Sequence, residues 1–315
     1  MQNKYLINFS KKFWFWFWTK LMDGFAPSDS QGNYRRPKGI LIDKNYEFKF
    51  KKENIYLLVG NSCPWCHRTL LVYKLKNLSK KVKVIFLEAD INSGQWIFNE
   101  KFEGCETLHQ FYKKAKMNNL FRSTLPLLFN FHNNQINIIS NESFEIVRLL
   151  NSKEEESSQK TLQICNCDQD LLEIIHSDIN NGVYKCGFAR NQRSYEKASK
   201  NLFEALTKIE KKFDENLGNW ICGEDLTYAD IYLFPTIIRW ELIYRQLFKC
   251  TEKEISDFKN IIKWRLSFFE LTKVSETCFD SEWKKDYYKA LFPLNPNQLI
   301  PVLPSLKEIM QSLPK

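Results

Sequence analysis

Apolar and polar positions give the chain two rhythms, one before residue 150 and another after 163. The apolar run Ile55-Tyr56-Leu57-Leu58-Val59-Gly60 breaks at Asn61-Ser62 and restarts as Leu70-Leu71-Val72-Tyr73-Lys74-Leu75. That pattern predicts a strand over 55–60, a turn, and a helix over 64–78. Residues 82–87 read as a second strand, and 98–118 as a long polar segment with helical patches. Two short strands, 126–129 and 135–139, flank an Asn133-Asn134 turn. Ser140-Asn141-Glu142-Ser143 then opens a helix ending near Leu150. The order is βαβ followed by ββα.

Beyond residue 163 nearly every spacing is helical. Leu202, Ala205, Leu206, Ile209 and Phe213 recur on one helix face, and Leu217-Gly218 stops that helix. Thr227 with Asp230 three residues on is a capping-box variant ahead of Ile231-Tyr232-Leu233-Phe234. The charge-rich stretch from Asn151 to Lys160 is the natural linker. The chain thus divides into an N-terminal extension (1–45), an α/β domain (46–151), a linker (152–162), a helical domain (163–292) and a tail (293–315). A chain of 315 residues suits two such domains.

Composition narrows the partners. With 43% hydrophobic and 26% charged residues the chain is globular, and its net charge of +9 raises nucleic acid as a ligand. Its Lys residues are interleaved with Glu and Asp, as over 204–215, and no basic nucleic-acid motif appears. A solvated basic surface that attracts anionic ligands is the better reading. Nine irregularly placed Cys, with no signal peptide carrying a small-residue cleavage site, predict free thiols in the cytoplasm. The run Phe13-Trp14-Phe15-Trp16-Phe17-Trp18 is far shorter than the roughly 20 apolar residues of a membrane span, so no stable insertion is expected. Lys11, Lys12 and Lys20 flank it, which admits a basic interfacial anchor. Packing of the run against its own domain or a partner is the favoured expectation, because so large an exposed aromatic patch is a liability.

The candidate chemistry lies in Ser62-Cys63-Pro64-Trp65-Cys66-His67-Arg68-Thr69. Cys63 falls at or just before the helix start, with Pro64 at the first helical position. Free backbone N–H groups and the positive end of the helix dipole there favour the thiolate, which is the nucleophile. Arg68, one turn on, adds positive charge. Structural zinc would need a second Cys pair or a spaced His pair. Cys165-Asn166-Cys167 has the wrong spacing and the four His are scattered, so thiol chemistry outweighs metal binding, and two buried structural cysteines are the bland alternative.

A CxxC after the first strand of βαβ–ββα is a thioredoxin-like arrangement, and an α/β domain followed by an all-helical one is the architecture of soluble glutathione transferases. Within them the chain resembles the glutathionyl-hydroquinone reductases, the Xi-class, omega-like glutathione transferases. The matching stretches begin with Cys63-Pro64-Trp65-x-His67-Arg68-Thr69, Gly94-x-Trp96-x-Phe98, Arg122-x-Thr124-Leu125-Pro126-Leu127-Leu128 and Asn141-Glu142-Ser143-x-Glu145-Ile146. They continue with Ile179-Asn180-Asn181-Gly182-Val183-Tyr184-Lys185, Thr227-x-Ala229-Asp230-Ile231, Phe248-Lys249-Cys250, Tyr287-Tyr288 and Asn295-Pro296-x-x-x-Ile300-x-Pro301. They keep the family's order from about residue 55 to 304. The family usually has Ala where this chain has Cys66, and the aromatic run lies outside its pattern.

The resemblance implies that Cys63 attacks the sulfur of a glutathionyl-hydroquinone, with glutathione as co-substrate and no metal. It implies a cis peptide before Pro126 and a glutathione site formed by Trp96, Arg122, Leu125, Glu142 and Ser143. It places Tyr184, Tyr244 and Tyr287 around the aromatic substrate, with Tyr288 competing for the last role, and it implies a homodimer. Cys66 stands as a candidate resolving thiol. Two rival readings are a glutaredoxin-like dithiol oxidoreductase using Cys63 and Cys66, and a non-catalytic scaffold of the same fold whose aromatic N-terminus docks a partner.

Overall fold

The computed structural model describes residues 2–37, 54–117, 123–152, 164–215 and 218–312. The linker from 153 on, residues 46–53, Arg122 and Leu217 lie outside them. Helix α1 (Gln2–Phe25) precedes an α/β unit of β1 (Ile55–Gly60), α2 (Pro64–Leu75), β2 (Val82–Ala89), β3 (Trp96–Phe102), β4 (Cys105–Thr107), α3 (Leu108–Lys114), β5 (Leu127–His132), β6 (Gln135–Ser140) and α4 (Ser143–Asn151). The strands form one sheet in the order β4-β3-β2-β1-β5-β6. β1 and β2 are parallel, with Ile55 beside Val82 and Gly60 beside Leu87, and β5 runs antiparallel to β1. The thioredoxin-like expectation holds.

Within it, two details differ from the sequence pattern. Residues 98–118 are not merely helical patches, because β3 and β4 extend the sheet. β4 forms the sheet edge and β3 lies beside it; in β3 Asn99, Glu100 and Lys101 are exposed and mask the alternation that buries Phe98. Helix α2 ends at Leu75 rather than 78, since Asn77 adopts a left-handed φ of 52° before a short 3-10 turn. Asn133 and Asn134 both have positive φ, as a two-residue hairpin turn demands.

The helical unit comprises α5 (Gln169–Ile174), a π-helical turn (Ile175–Asn180), α6 (Gly182–Gly187), α7 (Gln192–Asp214) and α8 (Tyr228–Ile237). A second π-helical turn (Trp240–Tyr244), α9 (Arg245–Leu247), α10 (Lys259–Phe269) and α11 (Asp280–Ala290) complete it, and the stretch read as a tail carries α12 (Leu306–Ser312), with Leu306, Ile309 and Met310 buried. Leu202, Ala205, Leu206 and Ile209 are buried along one face of α7, as their spacing predicts.

The two units meet through α2, whose residues from Pro64 to Val72 are all buried between the sheet, α4 and α8. His67 is committed to that seam. Its Nε2 lies 2.8 Å from Thr277 Oγ1, whose own proton goes to the Val274 carbonyl, so His67 is the Nε2–H tautomer. Its Nδ1 accepts from Arg239 at 2.8 Å. Burial, then the Arg239 charge, hold its pKa well below the usual imidazole range, which keeps the ring neutral and structural. Trp283 adds a bond from its indole N–H to the Asn61 carbonyl, 3.1 Å away.

The capping box predicted at α8 is present and does more than cap. Asp230 Oδ2 accepts from the Thr227 backbone N–H and hydroxyl, both at 2.8 Å. Its Oδ1 accepts from Ile221 N at 3.0 Å and Trp264 Nε1 at 2.8 Å. Asp230→Ala would strand these buried donors. We expect a loss of about 3–5 kcal/mol, the range for removing one partner of a buried charged network. Urea unfolding checks this, and a loss under about 1 kcal/mol would contradict the assignment.

Candidate active site

The strand–turn–helix at 55–75 makes Cys63 the N-cap of α2, with φ −74° and ψ 118°. Its Sγ accepts from the Cys66 backbone N–H at 3.4 Å and lies 4.0 Å from the Leu125 carbonyl oxygen. Burial pushes this thiol up. The Cys66 thiol, the Cys66 N–H, the Arg36 guanidinium and the Trp65 N–H together outweigh that and bring it to about 7. The thiolate is therefore well populated near neutrality. Cys66 is the opposite case: fully buried, with its Sγ 3.3 Å from Gly60 N, and pushed well up by burial and by its neighbour. It stays a neutral thiol that donates to Cys63.

Cys63 opens onto a cavity of about 400 Å³ with two unlike halves. Gln95, Trp96, His109, Ser123, Thr124 and Leu125 of the α/β unit make the more polar half. Phe25, Tyr34, Trp65, Tyr184, Phe188 and Tyr287 make the aromatic half. Trp96 can lie across the end of β1 because Gly60 has no side chain; a Cβ there would collide with the indole ring. In the aromatic half, Tyr184 and Tyr287 share a 2.6 Å hydroxyl–hydroxyl bond, and the Tyr244 hydroxyl stands 3.4 Å behind Tyr287. Burial raises the pKa of all three phenols, so they stay protonated near neutral pH. Both π-helical turns bear on this cluster: one ends just before Tyr184's helix, the other at Tyr244.

Known proteins share the sequence pattern and fold that carry this site. Residues 62–153 match the family model of the glutathione S-transferase N-terminal domain, and residues 192–266 that of its C-terminal domain. Over 270 residues the chain is 30% identical to the glutathionyl-hydroquinone reductase YqjG of Escherichia coli K12, covering 82% of this chain and 81% of that protein. The chain belongs to the glutathionyl-hydroquinone reductase family. It is equally 30% identical, over 82% of its length and 85% of the relative's, to glutathionyl-hydroquinone reductase PcpF of Sphingobium chlorophenolicum. Among solved structures, the glutathione S-transferase Xi of Phanerochaete chrysosporium superposes with a TM-score of 0.78 at 29% identity, covering 88% of this chain and 94% of that one. A glutathione-bound structure of YqjG superposes at 0.70 and 30% identity, over 82% and 87%.

Of the residues expected for a glutathionyl-hydroquinone reductase site, the fold gathers Cys63, Trp96, Leu125, Tyr184 and Tyr287 on one cavity. Tyr244 is wholly buried behind it. Tyr288 turns away and donates to the Leu242 carbonyl at 3.0 Å, which leaves the cavity role to Tyr287. The Leu125–Pro126 peptide is cis. Glu142 sits at the N-cap position of α4 with no capping bond from its side chain, and Ser143 is buried in the first turn; both lie outside the cavity walls. They follow directly on Asn141, whose Nδ2 reaches Thr124 Oγ1 at 3.4 Å on the cavity rim. Arg122 lies outside the described residues. Arg68 is buried, with Trp65 and Tyr232 rings 4.4 and 4.7 Å from its guanidinium.

Sequence reasoning missed Arg36 and Asp286. The Arg36 guanidinium stacks 3.7 Å from the centre of the Trp65 ring, on the cavity wall beside Cys63. Arg36 sits in an irregular segment that no periodicity marks, and only the fold brings it to α2. Asp286, one residue before Tyr287, also lines the cavity, and burial raises its pKa. Because the thiolate reacts and the thiol does not, alkylation of Cys63 by iodoacetamide should accelerate as pH rises, with a midpoint near 7. Arg36→Ala removes one stabilising charge and should move that midpoint upward. An unchanged midpoint would show that Arg36 does not act on the thiolate.

Proposed function

We propose that this enzyme is a glutathione-dependent thiol reductase that removes glutathione from glutathionyl-hydroquinones. The observation that carries the reading is a cysteine lowered to about 7 at the junction of a polar and a phenol-lined half-cavity. Relatives named for this reaction, and a relative structure with glutathione bound, support it.

In the first step the Cys63 thiolate attacks the glutathionyl sulfur and an S–S bond forms. The bond from that sulfur to the ring carbon breaks, and the carbon takes up a proton. The two sulfurs are thereby oxidised to a mixed disulfide while the ring is reduced to the free hydroquinone. A second glutathione, as thiolate, then attacks the glutathionyl sulfur of the mixed disulfide. It leaves as glutathione disulfide and restores Cys63. Tyr184 and Tyr287, backed by Tyr244, donate to the ring oxygen as it gains charge on loss of sulfur. Trp96, Arg122, Leu125, Glu142 and Ser143 hold the tripeptide. Glu142 accepts from the γ-glutamyl ammonium, and the α4 N-terminus suits a carboxylate.

Cys66, buried and held neutral, acts as a hydrogen-bond donor that positions and stabilises the Cys63 thiolate. The nine cysteines are all free thiols, which suits a reducing cytoplasm, and a homodimer completes the proposal. Steady-state turnover of a panel of glutathionyl-hydroquinones with added glutathione tests the reading. Failure to reduce any of them would overturn it.

A further inference from the structure

The aromatic run is expected to pack against its own domain or a partner; among the described residues only Trp18 of the run docks on its own chain, and Phe13 to Phe17 are exposed. Among these residues helix α1 docks through its last turns. Met22 and Ala26 are fully buried, Trp18 donates from Nε1 to the Pro293 carbonyl at 2.8 Å, and Phe25 packs edge-on against Phe188. Arg190 clamps the same end through Ala26 O at 2.9 Å and Asp23 at 3.3 Å. From Lys4 to Phe17 every residue is exposed, including Phe9 at 69%, Phe13 at 57% and Trp16 at 57%. Among the described residues these rings meet one another along the helix, Phe9 stacked on Phe13 and Phe13 tilted against Trp16.

We propose that this projecting part of α1 lies in the surface of an anionic lipid bilayer. At about 100° per residue, Tyr5, Leu6, Phe9, Phe13, Trp16 and Phe17 occupy an arc of roughly 120°. Lys4, Asn8, Lys11 and Lys12 occupy a separate arc of roughly 100°. Phe15, stacked on Trp18, is the one aromatic ring among the lysines; Trp14 lies outside both arcs, and Lys20 follows on the aromatic side one turn beyond Trp16. No acidic residue occurs before Asp23, and Asp23 is engaged by Arg190. Aromatic rings beside long cationic side chains suit the boundary between headgroups and acyl chains, where the rings bury and the ammonium groups reach anionic headgroups. No helix among the described residues is long and apolar enough to cross a membrane, so the geometry is one of lying on the surface. A second copy of the chain is the poorer occupant, since its own helix would bring like charges and no acid to pair with them. Because Phe25 at the docked end also walls the cavity, one helix joins the lipid surface to the active site.

The test is co-sedimentation of the full chain with vesicles of phosphatidylcholine alone, or mixed equally with phosphatidylglycerol, at low and high salt. Binding is expected to the anionic vesicles and to weaken with salt. Phe13→Ser/Trp16→Ser/Phe17→Ser and Lys4→Glu/Lys11→Glu/Lys12→Glu are each expected to reduce partition by at least about tenfold. Circular dichroism should show both variants folded, and turnover in solution should persist, because neither touches the cavity. Absence of wild-type binding to anionic vesicles at low salt would overturn the proposal. So would equal binding to both vesicle types, or self-association that the aromatic substitutions abolish.

Discussion

Cys63→Ser should reduce glutathionyl-hydroquinone turnover by at least about a thousandfold while leaving the fold intact. A serine hydroxyl at the same N-cap remains protonated near neutral pH. The N–H groups and the Arg36 charge that bring the cysteine to about 7 would find no anion to stabilise. The substitution is nearly isosteric, and serine is a favourable N-cap, so thermal unfolding should move little. Mass spectrometry of the wild-type enzyme after one turnover without excess glutathione should find glutathione on Cys63. Cys66→Ala is the informative contrast. It should keep most turnover, since free glutathione resolves the mixed disulfide, and raise the pH midpoint of Cys63 alkylation by removing the thiol donor. A collapse of turnover in Cys66→Ala would instead favour the dithiol, glutaredoxin-like chemistry. Substantial activity in Cys63→Ser would sink the mechanism.

The phenol cluster carries the second large effect. Tyr184→Phe or Tyr287→Phe should lower kcat by roughly ten- to a thousandfold, the range for losing one donor to developing charge. Glutathione affinity should hardly change, because those hydroxyls bond to each other in the aromatic half, away from the polar half. Glu142→Ala should do the reverse and weaken glutathione binding by about 1–3 kcal/mol. Tyr288→Phe serves as control: its hydroxyl bonds the Leu242 carbonyl, so turnover should persist. Calorimetry of glutathione binding together with steady-state kinetics separates these outcomes. A scaffold of the same fold would give neither pattern, and intact turnover after Tyr→Phe at all three cavity tyrosines would refute the assignment.

Local chemistry was legible in the linear chain wherever the physics is local. The strand at 55–60, Cys63 at a helix N-terminus, the two-asparagine hairpin and the Thr227–Asp230 cap all follow from residue types within a few positions. Periodicity also revealed the buried face of α7, because a helix in contact with a core repeats its contacts every three to four residues. Strands β3 and β4 were not legible. In β3 only Phe98 is fully buried, too few buried positions to impose an alternation across the exposed Asn99, Glu100 and Lys101.

What the sequence by itself determined was the pair of unit types, their order and the candidate thiol at the α2 N-terminus. The tertiary structure alone decided which distant groups meet that thiol. Arg36 comes from the segment after α1, Leu125 from before β5, Tyr184 from α6 and Tyr287 from α11, and no local propensity couples positions so far apart in the chain. It also chose Tyr287 over Tyr288, because on a helix adjacent residues point about 100° apart and only one can face the cavity. And it left the Phe-Trp run in solvent: helix formation there needs only its own backbone bonds, whereas covering its rings needs a surface that the described part of this chain does not place beside it.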